Sequence, residues 1–202
     1  VSGGSGGGFD KTVTGTSAGE QLVGTAGKDL IEGLGGDDTL FGMAGDDTLR
    51  GGDGNDQLAG GNGSAAGSGN DRLEGGAGND TLRGQDGNNV LLGGSGDEQY
   101  IHGGGNDVID NTGGGVDWLF FQNGITTGQL AFTREGDNLV IVVNGNANQR
   151  VTVTNHFLGG DWALDYLQAA TGNALNTAAI NALVSNGGGD GGGTPGTGND
   201  AD

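Results

Sequence analysis

Gly51-Gly52-Asp53-Gly54-Asn55-Asp56-Gln57-Leu58-Ala59 and Gly75-Gly76-Ala77-Gly78-Asn79-Asp80-Thr81-Leu82-Arg83 are two copies of one nine-residue unit. Glycine stands at its first and fourth positions, a carboxylate at the sixth and leucine at the eighth. The register extends outward from this pair, with further units opening at Gly15, Gly24, Gly33, Gly42, Gly60, Gly84, Gly93, His102 and Thr112. The eighth position is apolar throughout, from Leu22 and Ile31 to Ile109 and Leu119. The sixth is Asp except for Glu20, Asn89 and Glu98, and the fourth is Gly except for Ala18. A fixed period outranks local signals, because so short a unit can bury its apolar side chain only against its neighbours. Two places break the period. Six extra residues fall in the loop 61–69 of one unit, and one extra residue, Asn111, precedes the last unit.

Each unit divides into a six-residue turn and a three-residue strand. Glycine tolerates positive φ and lets carbonyl oxygens crowd inward without a Cβ clash. In the strand the middle side chain points inward and its neighbours outward. Two units complete one turn of about eighteen residues, so loops two units apart stack on the same side. The fold class is therefore all-β: a parallel β-roll, followed by a small β-rich capping region with a short C-terminal helix. A carboxylate in every turn, set among carbonyls, is a hard-oxygen donor set of the kind that surrounds Ca²⁺ with six to eight ligands. The chain has no cysteine and two histidines, so a soft-metal site is excluded by ligand type.

These units resemble the RTX repeats (haemolysin-type calcium-binding repeats) of secreted bacterial toxins, proteases, lipases, epimerases and adhesins, whose signature is G-G-x-G-x-D-x-U-x. The resemblance covers about residues 15–120. It implies that each Ca²⁺ lies between two stacked loops. The ion would take carbonyls from the second and fourth positions of one loop and the first and third of the next, with the sixth-position carboxylate of both. It places the units at 24, 42, 60, 84 and 102 in one stack and those at 15, 33, 51, 75, 93 and 112 in the other. The implied carboxylate ligands are Asp29, Asp38, Asp47, Asp56, Asp71, Asp80, Asp107 and Asp117. The implied carbonyls are those of Gly33, Gly35, Gly36, Gly42, Ala44, Gly45, Gly51, Gly52, Asp53, Gly54, Gly75 and Ala77. Full carboxylate pairs are Asp29/Asp47, Asp47/Asp71, Asp38/Asp56 and Asp56/Asp80. Pairs through Asn89 lose a carboxylate, and pairs through Glu20 or Glu98 carry a side chain one methylene too long. The resemblance also implies secretion, by the type I route, with an uncleaved signal at the extreme C-terminus of the full protein.

Composition alone resembles a disordered linker, with 51 Gly in 202 residues and a net charge of −19. Periodicity at three separate positions argues against that for the repeats. Without metal, stacked carboxylates repel over a core one residue deep, so binding of several calcium ions and folding are expected to be one event.

The chain divides into a flexible linker over residues 1–11, the roll over 12–120, a cap over 121–185 and a Gly-rich linker over 186–202. Within the last, Gly196-Thr197-Gly198-Asn199-Asp200 resembles the opening of another repeat, and linkers at both ends read as a segment of something longer. The cap region predicts strands at Leu130-Ala131-Phe132, Leu139–Val143 and Val151-Thr152-Val153, joined by turns at 136–138 and 144–146. A further strand is expected within 162–169, and a helix over 176–184 with Asn176 as its N-cap. A solenoid needs such a cap to cover its last apolar layer and strand edge. Trp118, Phe120, Phe121 and Trp162 are read as part of that cover.

Catalytic signals are weak. Gly15-Thr16-Ser17-Ala18-Gly19 and Gly3-Gly4-Ser5-Gly6-Gly7 match G-x-S-x-G formally, yet neither joins a buried strand to a helix as the nucleophile elbow requires. There is no H-E-x-x-H, P-loop or Cys nucleophile, and His102 and His156 read as surface or packing residues. A pI near 4.1 argues against nucleic acid and anionic membranes as partners. No apolar run is long enough to span a bilayer, and no cleavable leader precedes the fold. The expected function is that of a non-enzymatic calcium-binding module of a secreted bacterial protein, served by the type I machinery through its parent. The alternative is a carbohydrate- or surface-binding module that uses the outward Arg50, Arg72 and Arg83.

Overall fold

The structure is a computed structural model, and it describes residues 8–61 and 69–187. Most of the N-terminal linker, the centre of the inserted loop (62–68) and residues 188–202, with their repeat-like opening, lie outside the described residues.

Twelve strands build the roll: β1 (Lys11–Thr14), β2 (Gln21–Val23), β3 (Asp29–Gly35), β4 (Thr39–Met43), β5 (Thr48–Asp53), β6 (Gln57–Gly61), β7 (Arg72–Ala77), β8 (Thr81–Gln85), β9 (Val90–Ser95), β10 (Gln99–His102), β11 (Asn106–Asp110) and β12 (Trp118–Phe121). Odd and even strands form two separate parallel sheets, because each turn sends the chain to the opposite side. Ile31, Leu49, Leu73, Leu91 and Ile109 pair in register along the first sheet. Leu22, Leu40, Leu58, Leu82, Tyr100 and Leu119 do so along the second. These are the two stacks that the repeat register implies. The paired side chains meet between the sheets and, Leu22 apart, are buried. Each contributes about 1.5–3 kcal/mol, a thin core for so many ordered residues.

Apart from β2, the strands of the roll are longer than the three residues expected. β5 begins at a seventh position and runs through the third position of the next unit, pairing Gly52 with Gly76 and Asp53 with Ala77. Glycine permits this close stacking, since a Cβ on Gly52 would collide with the carbonyl of Leu34. The inserted loop leaves the stack intact: Asp47 and Asp71, 24 residues apart, meet like partners 18 apart. The extra residue near the last unit is Thr112, not Asn111. Asp110 pairs with Leu92, so Asn111 follows it into a first position beside Gly93. Gly113 packs against the Gly94 carbonyl as Gly94 packs against that of Gly76, a second position, and Thr112 is the residue left between them.

Beyond β11 the first sheet continues through β15 (Asn146–Val153), parallel to β11, then antiparallel β14 (Asn138–Val143) and β13 (Leu130–Glu135). The Asn144-Gly145 turn has φ of 53° and 67°, the two left-handed residues of a tight hairpin. On the second sheet β16 (Tyr166–Gln168) extends β12, and β17 (Leu175–Asn176) pairs antiparallel with β16. The strand expected within 162–169 is thus confined to 166–168. Residues 160–162 form a 3₁₀ turn, and Leu164 N–H donates to His156 Nδ1 at 3.1 Å, which ties the segment to a buried imidazole. Helix α1 (Thr177–Gly187) packs on β13, and Ala179 N–H donates to Asn176 Oδ1 at 2.9 Å. Phe121 and Phe132 enter the core. Trp118 lies half-exposed, stacked with Phe120 and Tyr166. At the opposite end β1 and β2 are edge strands, and Val13 and Leu22 are only partly buried.

Candidate metal centre

The eight sixth-position aspartates stand where each turn enters its strand, and all are buried. They stack as two ladders, in which the backbone N–H of one donates to Oδ1 of the next a coil later. On the first sheet the bonds run from Asp29 to Asp47 at 2.8 Å, Asp47 to Asp71 at 2.9 Å, Asp71 to Asn89 at 2.9 Å and Asn89 to Asp107 at 3.0 Å. On the second they run from Glu20 to Asp38 at 2.7 Å, Asp38 to Asp56 at 2.8 Å, Asp56 to Asp80 at 2.8 Å and Glu98 to Asp117 at 2.8 Å. All four full carboxylate pairs are therefore in contact.

The second oxygen tests the fit of a cation. Oδ2 of Asp38, Asp47, Asp56, Asp71 and Asp80 is buried and meets no hydrogen-bond donor among the described residues. A buried carboxylate oxygen without a partner is costly, unless a cation faces it. Each of these oxygens lies where the first-position glycine of its own unit would carry a Cβ, at Gly33, Gly42, Gly51, Gly60 and Gly75. Carbonyls converge on the same points. The Cβ position of Gly33 is 2.6 Å from the Gly51 oxygen, that of Gly42 is 2.5 Å from Gly60 and that of Gly51 is 2.6 Å from Gly75. Among the described residues no three Asp, Glu or His side chains converge on one point. A six- to eight-coordinate ion would thus take two stacked carboxylates and complete its shell from backbone.

The other implied carbonyl residues belong to the same loops. Asp53 O and Ala77 O each accept a backbone N–H, from Gly36 at 2.7 Å and Gly54 at 2.8 Å, and keep a second lone pair. Fourth-position Gly36, Gly45 and Gly54 have φ of 91°, 100° and 133°, as does second-position Gly52 at 115°. Gly35 and Ala44 lie at third positions, Gly35 in β3 and Ala44 just beyond β4. Three second positions hold side chains in the left-handed region: Leu34 at 78°, Met43 at 89° and Gln85 at 69°.

Burial dominates the electrostatics. It pushes Asp47 up to about 7 and Asp71 and Asp80 up to about 6, and raises Asp56. Backbone donors partly offset this, while the charges of Asp71 and Asp29 add to it at Asp47. Glu98 is held near 9, by burial first and by Asp117 second. Without a cation burial shifts these positions toward the protonated acid relative to an exposed carboxylate, a shift that a divalent ion opposes.

Toward the ends of the ladders the second oxygens have protein partners. Thr25 N–H and Oγ–H both donate to Asp29 Oδ2, at 2.5 and 2.8 Å, while Thr16 N–H donates to Glu20 Oε2 at 2.6 Å and its Oγ–H to Oε1 at 3.0 Å. His102 Nδ1 lies 2.6 Å from Asp107 Oδ2, and Asn111 Nδ2 donates to Asp117 Oδ2 at 2.9 Å. His102 is thus a buried ligand of a carboxylate, neither a surface residue nor simple packing.

Two features escaped the sequence reading. The fifth positions form a second ladder of opposite polarity, in which the later residue's N–H donates back to the earlier side chain: Asn55 to Asp37 at 2.8 Å, Asn79 to Asn55 at 2.8 Å, Asp97 to Asn79 at 2.9 Å, and on the other stack Asn70 to Asp46 at 2.7 Å, Asn88 to Asn70 at 2.9 Å and Asn106 to Asn88 at 3.0 Å. The signal was the run of Asp and Asn just before each sixth position. The second is Asp165, whose Oδ2 accepts Asp117 N–H at 3.0 Å while Leu167 pairs with Leu119. Residues 160–168 thereby imitate one more nine-residue unit. On the outer face, Arg50 pairs with Glu32 and Glu74 at 3.0 Å each and Arg72 with Glu74 at 2.6 Å, while Arg83 lies on the other sheet.

The family model of the RTX calcium-binding nonapeptide repeat matches in four copies, over residues 14–49, 33–64, 66–97 and 75–109. No curated protein matches the chain.

Proposed function

Residues 14–109 belong to the RTX calcium-binding repeats, and from this premise we propose that the chain is the calcium-gated folding module of a secreted protein, without catalysis of its own. The observation that carries the reading is the file of buried carboxylate oxygens that find no donor among the described residues, at Asp38, Asp47, Asp56, Asp71 and Asp80. The ions would be held by Asp29/Asp47, Asp47/Asp71, Asp38/Asp56 and Asp56/Asp80 with loop carbonyls. Calcium supplies the positive charge that lets stacked carboxylates stay ionised inside the roll. The residues do the rest: Oδ1 takes the backbone N–H of the preceding coil, first-position glycine leaves room for Oδ2, and the eighth-position side chain fills the core.

In a calcium-poor cytosol the repulsion and the thin core leave the roll unfolded and threadable through an exporter, and the calcium-rich exterior completes it. The parent's use of the type I route and an extracellular location follow from this reading. For a surface- or carbohydrate-binding role, the arginine strip offers little support, since Arg50 and Arg72 are spent on Glu32 and Glu74. Far-ultraviolet circular dichroism during a calcium titration after EDTA treatment is the test. Strand signal is expected to appear at about 0.1–1 mM calcium, the range of extracellular modules, and a strand spectrum indifferent to chelation would sink the proposal.

A further inference from the structure

Resting on that reading, we propose that the two calcium files stop before the C-terminal end of the roll, where His102 and Asn111 take the cation's place and hold Asp107 and Asp117 with hydrogen bonds instead of metal. The comparison is between units of the same chain. In the five central units the first position is glycine, and the Oδ2 of the sixth-position aspartate occupies its Cβ site without a donor. In the last two units the first position carries a side chain that reaches the same Oδ2. His102 Nδ1 is 2.6 Å from Asp107, and a carboxylate only accepts, so the imidazole donates. Asn111 Nδ2 is 2.9 Å from Asp117. Both pairs are fully buried.

The neighbours complete the substitution. Asn89 stands where the first ladder calls for a carboxylate, and its Nδ2 donates to Asp107 Oδ1 at 2.9 Å, so both Asp107 oxygens are satisfied by protein. Asp117 Oδ1 accepts Glu98 N–H and Oδ2 accepts Asn111, leaving neither oxygen unpartnered. Asn111 Nδ2 also donates to Ala163 O at 3.2 Å, so the amide bridges the last loop to the coil-like segment of the cap. Each aspartate thus has on its own chain the donors that a cation would replace. A calcium ion entering either place would have to displace His102 or Asn111 from a buried position. The inference departs from the ligand set that the repeat pattern implies, in which Asp107 and Asp117 bind metal.

The test is the calcium content of the full chain by equilibrium dialysis, with folding followed by circular dichroism. Asp107→Asn and Asp117→Asn are expected to keep the wild-type number of ions, whereas Asp56→Asn loses at least one. The double variant Asn89→Asp with His102→Gly, which restores the central pattern, is expected to gain about one ion. A loss at Asp107→Asn or Asp117→Asn equal to that at Asp56→Asn overturns the inference, and so does a folded double variant with no gain. If wild type binds no calcium, the functional reading fails instead.

Discussion

Leu34 shows what a single second-position side chain costs. It sits at φ 78°, in the region glycine adopts freely, with half its surface in solvent. Left-handed backbone costs an ordinary residue about 1–2 kcal/mol, and the extra unfolded-state freedom of glycine returns part of this. Leu34→Gly is expected to stabilise the calcium-bound roll by about 0.5–1 kcal/mol, read as a lower calcium midpoint; a higher midpoint would mean that Leu34 packs usefully. Asp56 marks the other extreme. It accepts the Asp38 N–H, donates to Asp80 and presents an unpartnered Oδ2. Asp56→Ala should therefore lose more bound calcium than Glu98→Ala in calorimetric titration, and equal losses would contradict the stacking. The sixth-position acids and their partners were legible because a period of nine fixes which loops stack. His102, Asn111 and Asp165 were not, since their roles depend on a side chain reaching into a neighbouring turn and no period announces that.

Strand length was the element-scale feature the sequence concealed. A nonapeptide suggests three extended residues, yet pairing runs on through the glycines because, without Cβ atoms, successive coils approach closely. The cap was more readable: its hairpin turn of Asn144-Gly145 and its helix start at Asn176 both follow local chemistry. The one-unit mimic at 160–168 escaped because a single degenerate copy lacks neighbours in register. Asn176→Ala removes the acceptor of Ala179 N–H and is expected to cost about 1 kcal/mol of cap stability. Thermal unfolding in saturating calcium measures it, and an unchanged transition would show that α1 is held by packing alone.

For the whole molecule, acidity and calcium act as opposing levers on one set of carboxylates. In the metal-free fold Asp47 titrates near 7 and Asp71 and Asp80 near 6, against 3.8 for the free side chain. Between these values the folded chain holds more protons than the unfolded one, so metal-free stability rises as pH falls from 7 toward 4 and is lost as pH climbs back through 6 to 7. Calcium needs the ionised form, so its binding should release protons and strengthen from pH 5 to 7.5. Circular dichroism in EDTA is expected to show more strand at pH 5 than at pH 8, with calcium midpoints moving the other way. More metal-free strand at pH 8 would refute the assignment of these shifts.

The roll is sealed at one end and open at the other. The cap covers β11 and β12, while β1 and β2 leave their outer edges unpaired among the described strands. Length is then adjustable from one side only. Each eighteen-residue coil joined ahead of β1 would lengthen the rod by about 4.8 Å, the spacing of paired strands, and extend each of the two carboxylate ladders by a single step. Coils added there would change the reach of the rod in uniform increments, while the hydrogen-bonded units beside the cap stay as they are.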